Sequence, residues 1–126
     1  MIEFQTILEV VTDFYSKATF DFLIGYQFRK IEDFDSHLPR IASFWELQLN
    51  GKITNREHLP FKLIEVHSPL KIKRGELGRW VTLFQETLES SVNKGLITKD
   101  QSEVWMEKIK FFENKLYQRL IQQGER

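Results

Sequence analysis

Two stretches decide how this chain is read: Glu65-Val66-His67-Ser68-Pro69-Leu70-Lys71-Ile72 and, shortly after, Arg79-Trp80-Val81-Thr82-Leu83-Phe84. Proline lacks the backbone N–H and clashes with the preceding turn, so a short helix over 61–68 is expected to stop at Ser68-Pro69. His67 then sits in the last turn of that helix. A neutral imidazole is a good metal ligand, and its second ring nitrogen can be held by a backbone carbonyl near a helix end. A single histidine is more often a surface or hydrogen-bonded core residue than a ligand, so the meaning of His67 depends on what the rest of the chain supplies.

Downstream, Leu77, Trp80, Val81, Phe84 and Leu88 form one apolar stripe, which predicts a helix over 74–93 with Gly95 as its break. Thr98-Lys99-Asp100-Gln101 has the pattern of a capping box and opens a last helix to about residue 122, with Trp105, Ile109, Phe112 and Leu116 inward. Upstream, Ile7, Val10, Val11, Phe14 and Tyr15 follow the i, i+3, i+4, i+7, i+8 spacing, which predicts a helix over 2–18 with the Tyr15 hydroxyl needing a partner. Residues 19–33 are less regular, and Gly25 is a candidate helix break. Asp33 or Asp35 can cap a helix over 35–50, in which His37, Ile41, Phe44, Trp45 and Gln48 share a face and Asn50-Gly51 gives the stop. Pro39 is tolerated only near a helix start, so this helix is expected to begin late or to bend, which leaves open whether His37 points inward or swings out. Residues 51–60 are polar and irregular. No period-2 strand pattern competes, and there are no repeats or linkers. The expectation is an all-α fold of about six helices in a single domain, residues 1–126, on one core.

Composition narrows the function. The 126 residues carry 18 basic and 18 acidic side chains, so the broad basic footprint of a non-specific nucleic-acid binder is missing. Without cysteine there is no disulfide, no thiolate ligand and no Cys-x-x-Cys-His attachment of a cofactor. No signal peptide and no apolar run of spanning length of about 20 residues is visible, so a cytoplasmic protein without a membrane partner is expected. Eleven phenylalanines, three tryptophans and three tyrosines are a large aromatic supply for one small domain; they can fill a core or wall a flat ligand. His37, His58 and His67 lack zinc-site spacing. No glycine-rich phosphate loop or Gly-x-Ser-x-Gly elbow occurs.

Taken jointly, the motifs say more. Phe14-Tyr15, Phe28, His37 with Ile41-Ala42-Ser43-Phe44-Trp45, the His67-Ser68-Pro69-Leu70-Lys71-Ile72 run and Arg79-Trp80-Val81-Thr82-Leu83-Phe84 resemble, in order and spacing, the group III truncated haemoglobins. The resemblance spans about residues 8–117 and is most specific from His67 to Leu88. The stretch Glu46-Leu47-Gln48-Leu49-Asn50-Gly51-Lys52 departs from the family's usual Gly-Asn-Pro-like loop, so haem-edge contacts there are not carried over.

What the resemblance implies is a truncated globin, a 2-over-2 helical sandwich around a non-covalent haem b. His67 would be the proximal iron ligand, through Nε2, with Nδ1–H on a backbone carbonyl. Tyr15, His37 and Trp80 would form a polar distal set that stabilises a bound ligand. Phe28, Ile41, Phe44, Trp45, His67, Ile72, Arg79 and Phe84 would bind the cofactor, with Arg79, and less so Lys71 and Arg74, facing the haem propionates. The ligands implied are O2, NO, CO or peroxide. A tight polar pocket implies redox turnover, as NO dioxygenation or peroxidase-like chemistry with a reductase, rather than oxygen delivery. Such a protein is bacterial and a monomer or weak dimer. Two other readings stay open on the residues alone: a haem-free helical module serving as a sensor or interaction domain, and storage or sensing without turnover.

Overall fold

A computed structural model of the chain describes residues 2–29, 34–52 and 72–122. The expected short helix over 61–68 lies outside these residues, and with it His58, His67 and Lys71. The described elements are α1 (Phe4–Phe20), α2 (Gly25–Phe28), α3 (Phe34–Asn50), α4 (Arg74–Asn93) and α5 (Lys99–Leu116), followed by a π-helical turn, Tyr117–Gln122. No strand occurs among the described residues.

The helices stack in two pairs. α1 packs against α3 and α4 against α5; α1 also lies on α4 and α3 on α5, so each layer covers the other. The burial pattern follows from the apolar spacing. α1 buries Ile7, Val10, Val11, Phe14 and Ala18, and α5 buries Trp105, Ile109, Phe112 and Leu116, each set recurring at three or four residues. Phe84 of α4 stands where the layers meet. Its ring stacks on Phe14, with centroids 4.4 Å apart, and lies 5.7 Å from both Trp45 and Trp105. Trp105 is fully enclosed, and its indole N–H has no hydrogen-bond partner, the one such side-chain group found buried among the described residues.

The helix ends answer to local chemistry. Gly51 and Gly95 take φ of 76° and 78°, the left-handed conformation that L side chains avoid, and close α3 and α4. Thr98 Oγ1 accepts from the Gln101 N–H while Gln101 Oε1 accepts from the Thr98 N–H, the reciprocal box expected there. Gly25 opens α2 instead of breaking a helix: a side chain there would meet the Thr19 carbonyl oxygen at 2.6 Å, so its absence lets α2 close up against the end of α1.

Two further expectations are corrected. α3 starts at Phe34 and runs through Pro39, so the proline does not delay the helix. The hydrogen bond it forgoes is the one to the Asp35 carbonyl, and Asp35 is exposed, where water can take the place of the missing donor. The last helix also does not run uniformly to residue 122; it widens into the π-helical turn. Leu116 and Ile121, five residues apart, are both buried with Leu77, and the i→i+5 winding of a π-turn puts that spacing on one face. Arg74 reinforces the turn by donating from Nη2 to the Tyr117 hydroxyl while its guanidinium carbon lies 4.6 Å from the centre of the Tyr117 ring.

Candidate functional site

The sequence-nominated residues fall into two groups. Tyr15, Phe28, Ile72 and Trp80 are half-buried and pack on the margin of the interior. Tyr15 lies edge-on to Phe14 at 5.0 Å and to Phe28 at 5.3 Å, and Trp80 lies edge-on to Phe84 at 5.9 Å. Because Phe14 and Phe84 stack, Tyr15 and Phe28 of the α1–α2 region and Trp80 of α4 are joined into one aromatic group. His37, in the first turns of α3, is also half-buried.

The second group belongs to the core. Ile41, Phe44, Trp45 and Phe84 expose 9% of their surface or less. Trp45 contacts Phe84, Trp105 and Phe112, and Phe44 contacts Phe112 at 5.1 Å. A side chain that lines a cavity must have surface to offer it. These four have spent theirs on protein neighbours, and Phe84 among them meets the half-buried Trp80.

Burial pushes the Tyr15 phenol above its usual range. It therefore keeps its proton at all ordinary pH and is a hydrogen-bond donor throughout.

Arg79 has a partner that the sequence did not announce. Its Nε and Nη2 donate to Asp21 Oδ1 at 3.0 and 2.7 Å. Asp21 is buried at the end of α1, and its Oδ2 accepts from the N–H groups of Leu23 and Ile24 at 3.0 and 3.1 Å. The expected propionate-facing arginine thus has two of its nitrogens committed inside the protein. One turn earlier on α4, buried Glu76 accepts from the Lys73 N–H at 2.9 Å and from the Tyr26 hydroxyl, and Gln27 Nε2 lies 3.4 Å away. None of Asp21, Tyr26, Gln27 and Glu76 was legible as a site residue. The only hint was an acidic residue directly after an apolar helix, where a carboxylate can accept from the next backbone N–H groups.

The Arg79 hydrogen bond, working against desolvation, holds the Asp21 carboxyl below its ordinary value. For Glu76 desolvation pushes upward, but the hydrogen bonds from Tyr26, Lys73 and Gln27 together outweigh it and the net shift is downward. A carboxylate depressed in the folded state adds stability that is complete above its unfolded pKa of about 4 and is lost as pH falls toward the folded value. Urea midpoints measured from pH 6 down to pH 2 are expected to fall in the acid limb, and Asp21→Asn is expected to start lower and to fall less steeply. A variant with the same slope as the parent would show that Asp21 is not among the groups responsible.

Among the described residues, no group of three or more His, Cys, Asp or Glu is arranged to hold a metal ion, and no helix is long and apolar enough to cross a membrane.

This is an all-α fold of globin type: two stacked helix pairs with a half-buried group of aromatic rings on the margin of their core. No protein-family model and no curated protein matches the sequence. The fold does match a solved structure, a crystal structure of group III truncated hemoglobin from Campylobacter jejuni, with a TM-score of 0.77 over 95% of this chain and 92% of that one. The two sequences are 19% identical, and the likeness is one of fold: this chain has the truncated globin fold.

Proposed function

We propose that this protein holds a non-covalent haem and binds small diatomic ligands, with His67 as the proximal iron ligand and Tyr15, His37 and Trp80 facing the bound ligand. The observation that carries the reading is the joining of Tyr15, Phe28 and Trp80 into one half-buried group on a truncated globin fold.

The residues present fit the group. A haem needs apolar walls with surface to spare and a few hydrogen-bond donors among them. Tyr15, Phe28, Ile72 and Trp80 have that surface, while the rings behind them are sealed. The buried core is also divided into two clusters, a large one around Phe14 and Phe84 and a small one of Leu77, Leu116 and Ile121, and Trp80 packs against both. Phe28 and Ile72 would contact the ring, and Ile41, Phe44, Trp45 and Phe84 would hold the wall rigid from behind. Arg79 would offer a propionate only what its pairing with Asp21 leaves.

When bound, a haem supplies the iron centre at which O2, NO or CO is held. The chain's part is to select and retain the ligand. The Tyr15 hydroxyl and the Trp80 indole N–H are donors, and they favour a ligand carrying partial negative charge over CO, which carries little. Each such bond in a dry pocket is worth about 1–3 kcal/mol. Two donors make release slow, which favours redox turnover of O2, NO or peroxide with an electron-supplying reductase over oxygen delivery.

The test is haemin addition to the purified protein. A stoichiometric Soret band is expected, and a spectrum that remains that of free haemin would overturn the reading. In the loaded protein, Tyr15→Phe is expected to speed O2 dissociation roughly tenfold or more, the effect of about 1.4 kcal/mol or above, with CO dissociation much less affected. Equal rates in parent and variant would remove Tyr15 from the ligand's surroundings.

A further inference from the structure

Trp80 lies on the second turn of α4, and the first two turns are fastened to the α1–α2 corner at two points. Arg79 reaches Asp21 through Nε and Nη2, and Asp21 is itself fixed by the Leu23 and Ile24 N–H groups. Glu76 is fixed by Tyr26 of α2 and by the N–H of Lys73, the residue that caps its own helix. Residues 76, 79 and 80 lie within about one turn and on neighbouring faces of a helix with 3.6 residues per turn. A helix tied at one point can still swivel about it; two ties separated along and around the axis fix both height and rotation.

Core packing by Leu77, Leu83, Phe84 and Leu88 also holds α4. Trp80 itself is half-exposed; it meets Phe84 edge-on and packs against the edges of both buried clusters, and part of its surface stays outside that packing. The Arg79–Asp21 pair is the polar contact nearest to it in sequence, and its buried carboxylate partner makes it costly to break.

We propose that Asp21, acting through Arg79, is the positioning residue for Trp80: it sets the rotation of α4 that aims the indole, with Glu76 as the second anchor. The consequence for a bound ligand rests on the haem reading; the locking of Trp80 does not.

Labelling with 5-fluorotryptophan tests the lock without any cofactor. The chain has three tryptophans, so three fluorine resonances are expected, with that of Trp80 assigned by its loss in Trp80→Phe. Asp21→Asn and Arg79→Gln should each shift or broaden the Trp80 resonance while those of Trp45 and Trp105 stay in place. Arg79→Lys, which keeps the charge but loses the fork, should recover part of the parent signal. A Trp80 resonance that stays put in both variants, or three resonances that move together, overturns the proposal. Should Asp21→Asn not fold, Arg79→Gln and Glu76→Gln give the same comparison.

In the haem-loaded protein, Trp80→Phe and Asp21→Asn should displace the C–O stretching band of the CO complex in the same direction. Each should speed O2 dissociation about tenfold, as loss of one hydrogen bond to the ligand would. A parent that takes up no haem fails the functional reading and leaves the fluorine result to decide the lock. A parent that takes up haem, with a C–O band moved by Trp80→Phe and untouched by Asp21→Asn, overturns the positioning role alone.

Discussion

Replacing His67 by alanine is expected to abolish stable haem uptake. His67 is the one histidine that the sequence places at a proline-terminated helix end ahead of the Arg79-Trp80 motif. His58 lies in a polar stretch, and His37 lies in the first turns of α3. Residues that merely orient a metal-binding histidine are worth about 10–100-fold in affinity, so loss of the ligand itself should cost more than about 100-fold. In a haemin titration the parent should show a sharp end point and a Soret band; His67→Ala should show neither at the same concentrations, and His37→Ala and His58→Ala should keep both. Free imidazole supplied to His67→Ala should restore part of the band by standing in for the lost side chain. An unaltered band in His67→Ala would place the iron ligand elsewhere and remove the central member of the proposed site.

The largest effect on stability is expected at Phe84. Its side chain is 1% exposed, stacks on Phe14 and contacts Trp45, Trp80 and Trp105, so it touches rings from α1, α3 and α5 as well as its own helix. Truncation to alanine loses the transfer free energy of a ring and leaves a cavity that four rigid aromatic neighbours cannot readily fill. The expected loss is about 3–5 kcal/mol. Against a domain stability of about 5–15 kcal/mol this is a large fraction. It corresponds to a fall in Tm of roughly 10–20 °C at this chain length. Urea melts of parent and variant measure it. A loss under about 1 kcal/mol would mean that the layers are not joined through this ring. Because Phe84 backs the half-buried residues, the same variant should weaken haem retention even though Phe84 itself has almost no free surface.

Most of the helical framework was legible because its signals are local. The stripe Leu77, Trp80, Val81, Phe84 and Leu88 gave α4 its limits, and Thr98 with Gln101 gave the start of α5. Where the reading failed, distant partners had intervened. Nothing near Tyr117 in sequence announces a π-helical turn; it depends on Arg74 and Leu77, some forty residues earlier, coming to lie beside it. Pro39 was read from its local cost, and the structure keeps the helix going where an exposed carbonyl can be left to water.

The site divides in the same way. Residue types and order were enough to nominate a proximal histidine, a tyrosine and a tryptophan, since a haem pocket needs those chemistries and the chain carries them in family order. Burial was not legible. Ile41, Phe44, Trp45 and Phe84 have the same apolar character as Phe28 and Ile72, and only packing separates the side chains sealed in the core from those that keep free surface.

By itself, then, the sequence determined the four long helices, their apolar faces and the chemical types available for a pocket, because periodicity and side-chain chemistry are properties of neighbours in the chain. The tertiary structure alone decided that Arg79 finds Asp21, 58 residues before it, and that Glu76 finds Tyr26, 50 residues before it. A charged side chain shows in sequence that it needs a partner; which partner it meets is fixed only when α1, α2 and α4 come together, and here that meeting ties the helix that carries Trp80 to the end of α1.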